Sequence, residues 1–89
     1  MNSFYVIAFD STHYAIKTEK QLKVQFKIDM IPTPREISAS CGLSVKFSEA
    51  LVNEIVSSLK ETSKKGLHLY KITKLETGTR IAESINWED

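Results

Sequence analysis

The run Phe4 to Phe9, FYVIAF, is apolar or aromatic throughout and shows no polar alternation. A strand of that pattern has to be covered on both faces, so it belongs at the centre of a sheet. The rest of the chain must then supply two strand neighbours and two covering layers. With 89 residues there is material for one domain and one core, with little apolar surplus.

The remaining periodicities supply those neighbours in order. Asp10, Ser11 and Thr12 are successive N-cap candidates for a helix over Thr12 to Lys23. Its inward stripe is Ala15, Thr18 and Leu22 with Ile16 nearby, and Lys17, Glu19, Lys20 and Lys23 face water. Phe26, Ile28 and Met30 alternate with Lys27 and Asp29, a half-buried second strand ended by Pro32. Leu43, Val45 and Phe47 alternate in the same way and form a third. Ser48 caps the next helix, whose stripe is Leu51, Val52, Ile55, Val56 and Leu59; Lys64 and Lys65 suit its negative end, and Gly66 suits its C′ position. Leu67 to Ile72 is a fourth strand. Beyond it the chain is polar, and the turn signal Thr77-Gly78 predicts a hairpin between a lengthened fourth strand and a short fifth one.

This order, βαββαβ, predicts an α+β ferredoxin-like sandwich: two helices on one face of a four-stranded antiparallel sheet, with a C-terminal extension carrying an extra hairpin strand. The domain is expected over 1–73 and the extension over 74–89. In this topology strands one and two run the same way, so the turn after the first and the loop after the second emerge at the same end. Ser11, Thr12 and His13 are thereby expected near Arg35 and Cys41. His68, on the fourth strand, is expected far from that loop and without a role.

The loop itself, PTPREISASCG from Pro32 to Gly42, holds the only cysteine. Two prolines restrict it, and Gly42 is expected to close it through a positive φ or a close backbone approach. It reads as a presented segment, in which Cys41→Ser is expected to leave folding nearly intact. Cys41 is either a small packing residue or a reactive thiol. One cysteine excludes an internal disulfide, and with two histidines a zinc site is not expected, nor is any other metal or cofactor. Twelve basic and eleven acidic residues, scattered and summing to a formal +1, give no electrostatic reason for nucleic acid or an anionic membrane as partner. No segment nears the roughly 18 apolar residues of a spanning helix, and no secretory pattern follows Met1, so the expected location is cytoplasmic.

The blocks FDSTHYAIKTEKQL and IPTPREISASCGLSVKF resemble the selenium/sulfur carrier-like protein family. That pattern is a strand ending in S-T-H, a helix with an E-K pair, then P-x-P-R-E-I-S-x-x-C-G and an alternating strand, from about Tyr5 to Ile72 here. The resemblance implies a non-enzymatic carrier that holds sulfur or selenium on Cys41 as a persulfide or selenide adduct. Its partners would be sulfur or selenium donor and acceptor proteins.

The residues can be weighed beside this. A thiol accepts sulfur only as the thiolate, which helix N-termini and arginines favour; the first helix and Arg35 are the expected sources here. Ser38, Ser40, Thr12 and backbone N–H groups near Gly42 are the expected donors to the adduct. The bland alternatives are a buried Cys41, a solvated His13, a surface Arg35–Glu36 ion pair and simple capping by Ser11 and Thr12. Two other functions fit the same residues. One is a small-anion or effector-binding module cradled by Arg35 and the helix N-terminus; the other is a cysteine transferase or hydrolase with His13 as base and Asp10 or Glu36 orienting it. An open edge strand and the cluster of Ile81, Ile85 and Trp87 are compatible with a homodimer.

Overall fold

The computed structural model describes residues 2–61 and 65–87. Its strands are β1 (Asn2–Phe9), β2 (Asp29–Pro32), β3 (Leu43–Ser48), β4 (Leu67–Lys74) and β5 (Arg80–Ile85), with helices α1 (Thr12–Lys23) and α2 (Val52–Lys60). The strands form one antiparallel sheet in the order β2-β3-β1-β4-β5. The arrangement is compatible with a ferredoxin-like sandwich, but the sheet has five strands where four were expected. The fifth is the hairpin strand of the extension, which pairs with β4 from Arg80↔Lys74 to Ile85↔Leu69.

The unbroken apolar run sits in the middle, as its pattern requires. Val6, Ile7, Ala8 and Phe9 are fully buried. Tyr5, Ile7 and Phe9 face a core shared with Ala15 and Leu22 of α1, Ile55 and Leu59 of α2, and Val45, Phe47, Leu67 and Leu69, so both helices lie on one side. Each large aliphatic or aromatic side chain buried there contributes about 1.5–3 kcal/mol. Phe4, Val6 and Ala8 face the other side, together with Ile72, Ile31, Ala82 and, from the loop, Ile37 and Ala39. The second covering layer is therefore the loop 33–42 folded back over the sheet.

Local chemistry explains the element ends. Ser11, in extended conformation, accepts a hydrogen bond from the Tyr14 N–H at 3.4 Å and caps α1, whose buried stripe is Ala15, Thr18 and Leu22. Ile16 lies outside that stripe, 45% exposed. Ser48 caps a 3₁₀ turn, Glu49–Leu51, that leads into α2. β2 is shorter than the alternation suggested: Phe26 and Ile28 pack against the helix-side core, but the ladder with β3 begins at Asp29. Gly66 is not the C′ residue of α2, which ends at Lys60 with Glu61 as its cap. It precedes β4 with φ +79°, under the ring of Tyr14, and its carbonyl accepts from the Asp10 N–H at 2.9 Å. The expected role of Lys64 lies outside the described residues. Among the described residues, no helix is long and apolar enough to cross a membrane.

Candidate functional site

The loop 33–42 is closed at its neck by short-range polar chemistry. Thr33 N–H donates to the Gly42 carbonyl at 2.9 Å, and Thr33 Oγ1 donates to the Cys41 carbonyl at 3.0 Å. A hydroxyl has one proton, so the fully buried Ser44 Oγ, 2.7 Å away, must donate to Thr33 Oγ1. One side chain thus satisfies both a buried hydroxyl and the carbonyl of the cysteine. The sequence motif gave Thr33 no role; its position between two prolines, beside a strand-facing serine, was the available signal. Inside the neck, Ile37 N–H donates to the Pro34 carbonyl at 3.0 Å, making a turn whose tip is Arg35-Glu36. Ile37, 6% exposed, then plugs onto Val6, Ala8 and Ile72. Ends that meet and an interior packed by its own side chain define an Ω-loop.

Cys41 leaves this loop in a direction that differs from expectation. It is 4% exposed, and its side chain belongs to the helix-side core with Phe9, Ala15 and Val45. The thiol is sheltered, not presented. Its backbone N–H donates to the Phe9 carbonyl at 3.2 Å, joining the end of β1 to the end of the loop. Around the sulfur, Leu43 N–H donates to Sγ at 3.4 Å and Thr12 Oγ1 lies 3.7 Å away. Thr12 is the first residue of α1, so the sulfur sits beside the positive end of a helix. Cys41 is thus a buried core side chain where an exposed loop thiol was expected.

The other expected site residues separate into two groups. Ser11 and Thr12 are at the sulfur's end of α1, Ser11 as cap and Thr12 in contact. His13 is exposed, with its ring 6.0 Å from that of Tyr14. Arg35 makes no hydrogen bond or ion pair among the described residues and acts on Glu36 through charge. Glu36 pairs instead with Arg80, which overturns the alternative of a surface Arg35–Glu36 ion pair. Gly42 has no positive φ, and a Cβ there would meet nothing within 4 Å, so the conformational reason for a glycine is absent. The backbone donor beside the sulfur is Leu43. Ser38 and Ser40 line a different, open cleft of about 290 Å³ with Asp10, Ala39, His68 and Tyr70.

That cleft corrects the reading of His68. β4 runs antiparallel to β1, so its first residues lie beside the last residues of β1, at the loop end of the sheet. His68 Nε2 stands 2.8 Å from Asp10 Oδ1, both side chains being about half exposed. Among the described residues no group of three or more His, Cys, Asp or Glu side chains is placed to hold a metal ion.

Comparison with curated proteins and with solved structures finds no match. The family described as "Putative Se/S carrier protein-like" matches residues 4–72, from the first residue of the central strand's apolar run into β4 and across the whole cysteine loop. By that match over most of its length, the chain belongs to the Se/S carrier protein-like family.

Proposed function

We propose that this chain carries sulfur or selenium on Cys41 between donor and acceptor proteins, within the domain 1–73, and that it does so in the cytoplasm, where thiols stay reduced. The observation that supports this reading is the setting of the sulfur: Sγ has the Leu43 N–H at 3.4 Å, the Thr12 hydroxyl at 3.7 Å and the N-terminus of α1 beside it. The Leu43 N–H and the helix N-terminus face the sulfur with positive partial charge, and the Thr12 hydroxyl is placed where it could donate to a sulfur that carries negative charge.

Loading is a transfer of one chalcogen atom. The Cys41 thiolate attacks the outer sulfur of a donor persulfide; a new S–S bond forms on Cys41, the donor's S–S bond breaks, and the donor leaves as its thiolate. Electrons balance without an added oxidant. A donor carrying selenium reacts in the same sense and leaves a selenium–sulfur bond on Cys41. The low exposure of the thiol protects the adduct from stray thiols, and it also means that the helix-side packing around Cys41 must open for a partner's sulfur to approach in line. Intact-mass analysis after incubation with a small persulfide tests the reading: one added chalcogen on Cys41, removable by excess thiol, is expected.

A further inference from the structure

The Leu43 N–H, 3.4 Å from Cys41 Sγ, is a backbone donor whose direction is set by its peptide unit. That unit is planar and trans, so its carbonyl, that of Gly42, points the opposite way from the Leu43 N–H. The Gly42 carbonyl accepts from the Thr33 N–H at 2.9 Å. One rigid plate is therefore fastened to Thr33 at one edge and faces the sulfur with the other. The preceding peptide unit is fastened to the same residue, because Thr33 Oγ1 donates to the Cys41 carbonyl at 3.0 Å. Among the described residues no charged side chain hydrogen-bonds to the sulfur, so the direction of this plate decides what the sulfur meets.

We infer that Thr33 is a positioning residue for Cys41, and that the buried Ser44 hydroxyl keeps it in that role: together they hold the two peptide units around Gly42 so that the Leu43 N–H is aimed at the sulfur. Ser44 Oγ is fully buried, 2.7 Å from Thr33 Oγ1, and donates to it. The single Thr33 hydroxyl proton is thereby committed to the Cys41 carbonyl. The restraint matters because the residue between the two units is Gly42, whose backbone has no Cβ to limit it. Thr33 is itself restrained, since Pro34 disfavours the helical region for the residue before it. The use of this arrangement to hold charge on sulfur rests on the carrier reading, but the arrangement itself can be measured without any cargo.

The experiment is an NMR pH titration of the full chain that follows the Cβ carbon of Cys41, the only cysteine, together with the Leu43 amide proton. In the parent the Leu43 proton is expected to move downfield along the same profile as the Cys41 carbon, since an N–H bond to sulfur strengthens when the sulfur becomes charged. Thr33→Val with Ser44→Ala removes both hydroxyls, so neither is left buried without a partner. Its Cys41 profile is expected at higher pH by about half a unit to one unit, with a Leu43 response about half the parent's or less. Thr33→Ser keeps the hydroxyl and is expected to match the parent in both readouts. Ser44→Ala alone is expected to move both in the direction of the double variant, by less. His13 and the Asp10–His68 pair, the titratable groups at this end of the sheet, are the same in all four proteins, so their influence cancels in the comparison. A parent-like profile and Leu43 response in the double variant would overturn the proposal, as would the same result in Ser44→Ala should the double variant not fold. So would a Thr33→Ser profile displaced as far as the double variant's, which would assign the effect to packing of the methyl group. Failure of Cys41 to accept sulfur would leave these titrations as they are and would count against the carrier reading alone.

Discussion

Thr12 Oγ1 and Cys41 Sγ lie 3.7 Å apart although 29 positions separate them in the chain. The contact exists because β1 and β2 point the same way, so α1 begins where the loop after β2 ends. If this hydroxyl helps to hold charge on sulfur, Thr12→Val, which keeps the shape and removes the donor, should slow the reaction of Cys41 with a small persulfide at neutral pH by about three- to tenfold. A rate equal to the parent's, with the fold unchanged, would reduce Thr12 to a helix residue.

Burial makes Cys41 a stability residue as well. Cys41→Ser removes a polarisable group from the helix-side core, although Leu43 N–H and Thr12 remain as partners for the new hydroxyl. A loss of about 1 kcal/mol is expected, read as a Tm lowered by about 4–8 °C in thermal unfolding. An unchanged Tm would show that the side chain contributes nothing to packing.

Gly66 and Gly78 separate two costs of replacing a glycine. Both have positive φ, +79° and +91°, but a Cβ at Gly66 would lie 2.6 Å from two atoms of the Tyr14 ring, while one at Gly78 meets nothing within 4 Å. Gly78→Ala is expected to cost about 1 kcal/mol and Gly66→Ala at least about twice that, by urea unfolding. Equal losses would mean that Tyr14 moves aside freely.

Acid should weaken the Glu36–Arg80 ion pair in a definite direction. The Glu36 carboxyl is held below the ordinary glutamate value of 4.5, first by its hydrogen bonds from Arg80, then by its own backbone N–H and the charges of Arg80 and Arg35, against some desolvation. A carboxylate depressed in the folded state contributes stability that is complete above its unfolded pKa and is lost as the pH falls through the folded one. The Tm advantage of the parent over Glu36→Gln should therefore be level above about pH 5 and shrink below it. An advantage that persists unchanged at about pH 3 would rule out the ionic part of the interaction.

Most of the fold was legible because periodicity and caps agreed with it. The α1 bounds, the central place of FYVIAF and the hairpin after β4 all follow from local pattern. What local pattern could not carry was long-range direction. Glu36 had a neighbour of opposite charge in Arg35, yet it pairs across 44 positions with Arg80, because Ile37 pins the turn face-down on the sheet. His68 seemed remote until antiparallel pairing placed it beside Asp10. The cysteine's direction was hidden for a related reason. The chain crosses from the loop-covered face to the helix face between Ala39 and Cys41, and only the Cys41–Phe9 backbone bond reveals where.

The most direct test of the carrier account is the intact mass of the purified chain before and after incubation with a persulfide or selenium-bearing donor, in parallel with Cys41→Ser. The account predicts a gain of one sulfur or one selenium atom in the parent, its loss on treatment with excess thiol, and no gain in Cys41→Ser. A parent chain that stays unmodified while a free small-molecule thiol in the same tube is converted would contradict it.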